Sequence, residues 1–215
     1  MTNIRGVGHF SKMSEEFNFN FYKNFDVIQI QEHLKTFNEE WVLNTFRQDT
    51  YIPHKDTNTY FLMDHSNNWL YGDEYKLIEM YQDISLWKLI EPIVKDLEQK
   101  VMGKMGKVIL VKLPAGKKVG KHNDHGDYLD VVRRFHIPIF TNDNVVFTIN
   151  NEFKNMKVGE CWEINNSKVH DVSNNGNTDR VHLLFDIMPN WAIEAFGSVD
   201  RSITTSGFFV DPNHV

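Results

Sequence analysis

The second half of the chain breaks into short runs rich in β-branched and aromatic residues, and that rhythm constrains the fold more than any other feature. Lys107–Leu113, Val132–Phe140, Asn144–Asn150, Glu160–Ile164 and Arg180–Ile187 are each of strand length. They are mostly separated by turn formers: Thr141-Asn142-Asp143, Asn150-Asn151, Asn165-Asn166 and Asn174-Asn175-Gly176-Asn177. Asn, Asp and Gly reverse an extended chain cheaply because they tolerate left-handed backbone or bond their own main chain. No room is left between these runs for the helices of βαβ units, so the pattern predicts an antiparallel meander or jelly roll.

The first half reads differently. Leu86, Leu89, Ile90, Ile93, Val94, Leu97 and Val101 recur at three- and four-residue spacing, which predicts a helix over Ser85 to Met102 with Gly103 as its terminator. Pro92 lies inside that span, so a later start or a kink at Pro92 is the competing expectation. A shorter amphipathic stretch is expected around Gln31 to Asn44. The architecture that follows is mainly β with flanking helices, a double-stranded β-helix of jelly-roll, cupin-like type. One domain is expected over 1–215: a helical and mixed part (1–105) on the barrel, a β core with the site (106–190), and a tail (191–215).

Composition narrows the function classes. With 215 residues, 41% of them hydrophobic, the chain can bury a sizeable core. Its 23 basic residues are scattered among 29 acidic ones for a net charge of -6, which argues against nucleic acid as a partner. Cys161 is the single cysteine, so no internal disulfide can form. Neither a membrane-length apolar run nor a signal-peptide pattern is present, and a reducing, cytoplasmic setting is expected, without a membrane partner.

Chemistry concentrates in three places. Lys121-His122-Asn123-Asp124-His125-Gly126 puts an imidazole and a carboxylate two residues apart, on one side of an extended chain and about 7 Å from each other. Alone such a pair says little, and another stands at His54-Lys55-Asp56. His170 follows 48 residues after His122, and Arg180 ten residues later opens the strand Arg-Val-His-Leu-Leu-Phe-Asp. Two histidines and one carboxylate leave coordination positions open, as Fe(II) requires for a bidentate 2-oxo acid and dioxygen. A guanidinium such as that of Arg180 forks onto a carboxylate with two parallel hydrogen bonds.

Three stretches carry a family resemblance: Arg134-Phe135-His136-Ile137-Pro138-Ile139, Gly159-Glu160-Cys161-Trp162-Glu163-Ile164-Asn165-Asn166-Ser167-Lys168-Val169-His170, and Arg180-Val181-His182-Leu183-Leu184-Phe185-Asp186. Here the chain resembles the aspartyl/asparaginyl β-hydroxylase family of Fe(II)/2-oxoglutarate-dependent dioxygenases, over roughly 40% of its length, from about Gly106 to Asn190. The resemblance implies iron on His122, Asp124 and His170, and the distal carboxylate of 2-oxoglutarate on Arg180. It also implies that Arg134 and His136 assist at the cosubstrate end nearer the metal. Some animal members hold iron with two histidines only; Asp124 makes this chain look more like the bacterial members related to proline 3-hydroxylase. The implied reaction hydroxylates an unactivated C–H bond, of an amino acid side chain free or in a peptide, with release of succinate and CO2.

Other residues carry weaker expectations. Arg133 would replace Arg134 in the site if the strand slipped by one residue. His125 points away from Asp124, His182 shares the face of Arg180 as pocket lining or as a core histidine, and Cys161 is expected to be packing. Arg47, Gln48, Tyr51, His54 and His65 are candidates for substrate contact, and the aromatic tail from Trp191 could cover a pocket mouth. Two rival functions fit less of the pattern: a non-catalytic jelly roll binding a small carboxylate or a metal, and a zinc hydrolase, which leaves Arg180 without a task.

Overall fold

The computed structural model describes residues 17–37, 39–65, 77–79, 83–126 and 128–197. Two antiparallel sheets face each other. The larger has seven strands in the order β1 (Phe19–Asn24), β9 (Glu160–Ile164), β6 (Arg133–Phe140), β11 (Arg180–Pro189), β4 (Gly103–Leu113), β2 (Asn58–His65) and β3 (Leu77–Glu79). The smaller has four: β5 (Lys118–His122), β10 (His170–Asn174), β7 (Val145–Ile149) and β8 (Glu152–Lys154). This is the jelly roll expected from the strand rhythm. The part before residue 106 does more than pack on the barrel, because β1 and β2 join the large sheet on either side and β4 itself begins at Gly103.

The period-2 alternation of the central strands separates two environments. Phe135, Ile137 and Ile139 of β6 and Val181, Leu183, Phe185 and Ile187 of β11 point outward into a core closed by α1 (Ile28–Leu34) and α3 (Ile84–Val101). Arg134 and His136 of β6 and Arg180 and Leu184 of β11 point inward, toward the small sheet, where they line a cavity. All ten residues of β11 are buried, as befits a central strand covered on both faces.

Helix α3 runs unbroken through Pro92. A proline inside a helix costs about 3 kcal/mol. Against that, Leu86, Ile90, Ile93, Val94 and Leu97 are all buried, each worth about 1.5–3 kcal/mol, so packing outweighs the lost bond. The Asp83 carboxylate caps the first turn by accepting from the Leu86 amide at 2.9 Å. The last turn closes on Met102 with φ 52°, not on Gly103. Gly103 is needed for a different reason: a Cβ there would stand 2.5 Å from the Met188 carbonyl oxygen and from Ile187 Cγ2. The stretch expected over Gln31 to Asn44 is shorter than its pattern suggests, with α1 ending at Leu34 and a 3-10 turn over Glu39–Val42.

The asparagine-rich connections are turns, and Asn150 takes a positive φ of 52° between β7 and β8. Some of these asparagines also tie strands together. Asn174 is fully buried and donates to the carbonyls of Leu113 and Thr178 at 3.1 and 2.9 Å. A 3-10 turn (Ile52–His54) lies against β5, and a short helix α2 (Phe46–Thr50) packs on that turn. The described residues end with α4 (Asn190–Gly197). Among the described residues no helix is long and apolar enough to cross a membrane.

Candidate metal centre

Strands β5 and β10 pair antiparallel with His122 directly opposite His170, which is how residues 48 apart come together. Their ring centroids are 4.2 Å apart. His170 opens β10 instead of leaving a strand, because the pairing partner of β5 begins at that residue. The loop after β5 is fixed by the Asp124 amide, which donates to the Asn166 carbonyl at 2.9 Å. The turn Asn165-Asn166 thereby sets the third side chain. His122 Nε2 lies 3.7 Å from Asp124 Oδ1, and His170 Nε2 4.0 Å from Asp124 Oδ2. One ligand atom from each residue falls within 4.8 Å of the others, the spacing of a group that can share one ion.

Hydrogen bonding settles the tautomers. His122 Nδ1 meets the Gly120 carbonyl at 2.8 Å and His170 Nδ1 meets the Lys168 carbonyl at 2.8 Å. A carbonyl only accepts, so each Nδ1 carries the hydrogen and each Nε2 presents its lone pair to the group. Burial lowers the pKa of His170, which keeps the ring in this neutral state. Burial alone would raise Asp124, yet Arg134, His170, His122 and Arg47 together hold it below the usual carboxylate range.

Arg134 organises the carboxylates. Its Nε and Nη2 donate to the two oxygens of Asp186 at 2.8 and 2.9 Å, and Nη1 donates to Asp124 Oδ2. Each of its three nitrogens therefore has a carboxylate partner, and it stands as a brace behind Asp124. Arg133 faces the helix side, paired with Glu163 through two contacts of 2.7 Å, so the register is the one that turns Arg134 inward. Asp186 is the supporting residue that sequence reading passed over. Its signal was available: it shares the face of Arg180 and His182 on β11.

At the far side of the cavity stands Arg180, 2% exposed. Its Nη2 donates to His182 Nδ1 at 2.7 Å, its Nε is sealed without a partner, and among the described residues no carboxylate pairs with it. Burial, with Arg47 adding to it, pulls the guanidinium down to about 9. His136 is 5% exposed, and both of its ring nitrogens lack a hydrogen-bond partner. Buried polar atoms in this state cost about 1–3 kcal/mol each unless something binds them. The cavity between these groups has an apolar wall that includes Val111, Val119, Phe147, Ile164, Val172 and Leu184.

Residues 85–189 match the aspartyl/asparaginyl β-hydroxylase family model. That segment, 105 of the 215 residues, is similar to this hydroxylase family. The match runs from α3 to the end of β11 and takes in His122, Asp124, Arg134, His136, His170 and Arg180. The activity that the matched family's description names is that of a hydroxylase. Among solved structures it is similar to a 2OG-Fe(II) oxygenase family oxidoreductase from Burkholderia pseudomallei, with 12% identity over 61% of this chain and 67% of that one and a TM-score of 0.45. It is also similar to a predicted oxalate decarboxylase from Thermotoga maritima (19% identity, 60% of this chain, 93% of that one, TM-score 0.34) and to a cupin domain from Bordetella pertussis Tohama I (17%, 39%, 82%, TM-score 0.32). No curated protein matches the chain.

The donor set fits what such a hydroxylase holds. Two imidazole nitrogens and a carboxylate suit Fe(II) with positions left open. An unpaired buried guanidinium and a histidine with two unmet nitrogens suit the two ends of a dicarboxylate. Of the weaker candidates, Arg47 and His54 reach the cavity. Tyr51 is exposed, Gln48 is part-buried with its Oε1 sealed and unpartnered, and the side chain of His65 lies outside the described residues. His125 is exposed, within 3.4 Å of Asp130 and bonded to Asn123, and takes no part. His182 backs Arg180 as a core histidine, and Cys161 packs in the helix-side core. Of the tail, Trp191 is exposed on α4 and residues 198–215 lie outside the described residues.

Proposed function

We propose that the chain holds Fe(II) on His122 Nε2, Asp124 and His170 Nε2, and binds 2-oxoglutarate with its distal carboxylate on Arg180. With them it hydroxylates an unactivated C–H bond of an amino acid side chain, free or in a peptide, and releases succinate and CO2. The observation that carries this reading is Arg180, a buried cation lining the same cavity as the three-ligand group and paired with no carboxylate among the described residues. Iron, 2-oxoglutarate and dioxygen, when bound, supply the oxidising power that no side chain here has.

The side chains do the rest. Gly120 and Lys168 carbonyls fix the ligand tautomers, Arg134 braces Asp124 from behind, and His136 offers its ring to the cosubstrate end nearer the metal. The apolar wall keeps water from the reacting centre, so that charges inside act at low dielectric.

The test is an anaerobic titration of the purified protein with Fe(II) and 2-oxoglutarate, following the weak visible charge-transfer band of the chelated 2-oxo acid. We expect the band in wild type and its loss in Asp124→Ala and Arg180→Ala. Folded wild type without a band would remove the oxygenase reading and favour a binding-only jelly roll.

A further inference from the structure

The residue that the hydroxylase site leaves unexplained is Arg47. It stands on α2, ahead of the segment that matches the family, yet it lines the same cavity as His122 and Arg180. The residue as a whole is only partly buried, but its Nη1 is sealed from solvent and has no hydrogen-bond partner. Its Nη2 donates to His54 Nε2 at 3.2 Å, which fixes His54 as a neutral ring protonated on Nδ1. That ring packs edge-on against His122, 4.7 Å between centroids, so the guanidinium is held just behind a ligand by a neutral spacer that cannot balance its charge.

Charge accounting isolates it. The cavity brings together the guanidiniums of Arg47, Arg134 and Arg180 with the carboxylates of Asp124 and, behind Arg134, Asp186. Both carboxylates are taken by Arg134. On the reading proposed above, a divalent cation and a dicarboxylate add no net charge, and the dicarboxylate's far end satisfies Arg180. One positive charge remains, on Arg47, in a low-dielectric site where an unpaired charge is expensive.

Resting on that reading, we infer that Arg47 anchors a carboxylate of the substrate, which makes the substrate class an anion: an amino acid with a free α-carboxylate, or an Asp or Glu side chain in a peptide. A guanidinium matches this partner by its two parallel donors, and the anchored end would fix which carbon faces the metal. The segment that supplies the anchor lies outside the family match, so it is where this chain can set its own substrate.

The experiment uses the full chain loaded anaerobically with Fe(II) and 2-oxoglutarate, the charge-transfer band being recorded first. Binding is then measured by calorimetry for free L-amino acids, their carboxamides, and end-capped tetrapeptides with a central Asp, Glu, Asn or Gln. We expect at least one carboxylate probe to bind about 30-fold or more tightly than its amide. Free amino acids alone binding would assign the α-carboxylate, and capped acidic peptides alone would assign the side chain; both support Arg47 as the anchor. In Arg47→Met the band should persist while the acid-over-amide preference vanishes, and Arg47→Lys should keep part of it. The inference is overturned if wild type with a band binds no carboxylate probe, if Arg47→Met keeps the preference, or if Arg47→Met loses the band, which would put Arg47 in the cosubstrate site. No band in wild type would instead bring down the parent reading.

Discussion

Arg134 and Asp186 sit directly opposite each other on β6 and β11 and exchange two parallel hydrogen bonds of 2.8 and 2.9 Å, which leaves one nitrogen of Arg134 to reach Asp124. The pair is buried, with Asp186 fully enclosed. A cross-strand ion pair thus sets the position of the proposed metal ligand Asp124, on a loop ten residues away from Arg134.

Removing Asp186 should therefore be felt twice. In Asp186→Asn the guanidinium loses its fixed partner and is free to take both oxygens of Asp124. Breaking a buried pair costs about 3–5 kcal/mol, and losing a support behind a ligand weakens metal binding about 10- to 100-fold. Urea unfolding and an anaerobic Fe(II) titration measure the two effects separately; an unchanged metal affinity would refute the bracing role.

Arg180 behaves oppositely, because among the described residues it has no carboxylate partner to lose and bonds only to a neutral ring, that of His182. Arg180→Met should leave the metal-free protein as stable as wild type or about 1–4 kcal/mol more stable, since an uncompensated buried charge is replaced by an apolar side chain. The same variant should bind Fe(II) within about threefold of wild type and 2-oxoglutarate about 30-fold or more weakly. Thermal unfolding with and without 2-oxoglutarate would read both, the cosubstrate raising the midpoint of wild type only.

Acid should destabilise the fold through its histidines. Burial holds the pKa values of His54, His136, His170 and His182 below the ordinary value, with positive neighbours pushing His54, His136 and His182 further. In the unfolded chain these rings protonate near pH 6.5. Below that pH the unfolded state binds more protons than the folded one, so stability is intact above about pH 6.5 and falls on acidification. Each ring that stays neutral removes up to about 1.4 kcal/mol per pH unit. Urea midpoints should thus be level between pH 7 and 8 and drop steeply from pH 6 to 5. A level curve over that lower range would contradict the neutral histidine cluster.

Cys161 should be chemically silent in the folded state. It is fully buried, and burial together with Glu163 raises its thiol to about 12. Because only the thiolate reacts, alkylation should be slow in buffer and complete within minutes in denaturant. The raised value also means that above about pH 9 the unfolded chain ionises first, so stability declines on that side as well.

Much of the fold and part of the site were legible in residue order. The strand runs, the asparagine turns and the spacing of α3 follow local rules, which is why Glu160–Ile164 coincides with β9 and the other runs differ mainly at their ends. His122 with Asp124, His170 and Arg180 stood out by residue type and order. Strands β5 and β10 were not anticipated, because they are short and polar and exist through pairing with each other and with β7. Arg47 and His54 were readable only as two of five candidates for substrate contact, and nothing in their neighbourhood separated them from Gln48, Tyr51 and His65 as the ones that face the cavity.

The sequence by itself determined the alternation that sends Arg134, His136 and Arg180 to one face and the apolar residues to the other, since side-chain direction along a strand is local geometry. What only the tertiary structure decided is which charges meet. Strand register set Asp186 against Arg134 and His122 against His170, and chain packing brought Arg47 over the same cavity. Arg180 was left without an anion for the same reason: a charge's partner is fixed by what folds against it through space, and order along the chain carries no record of that distance.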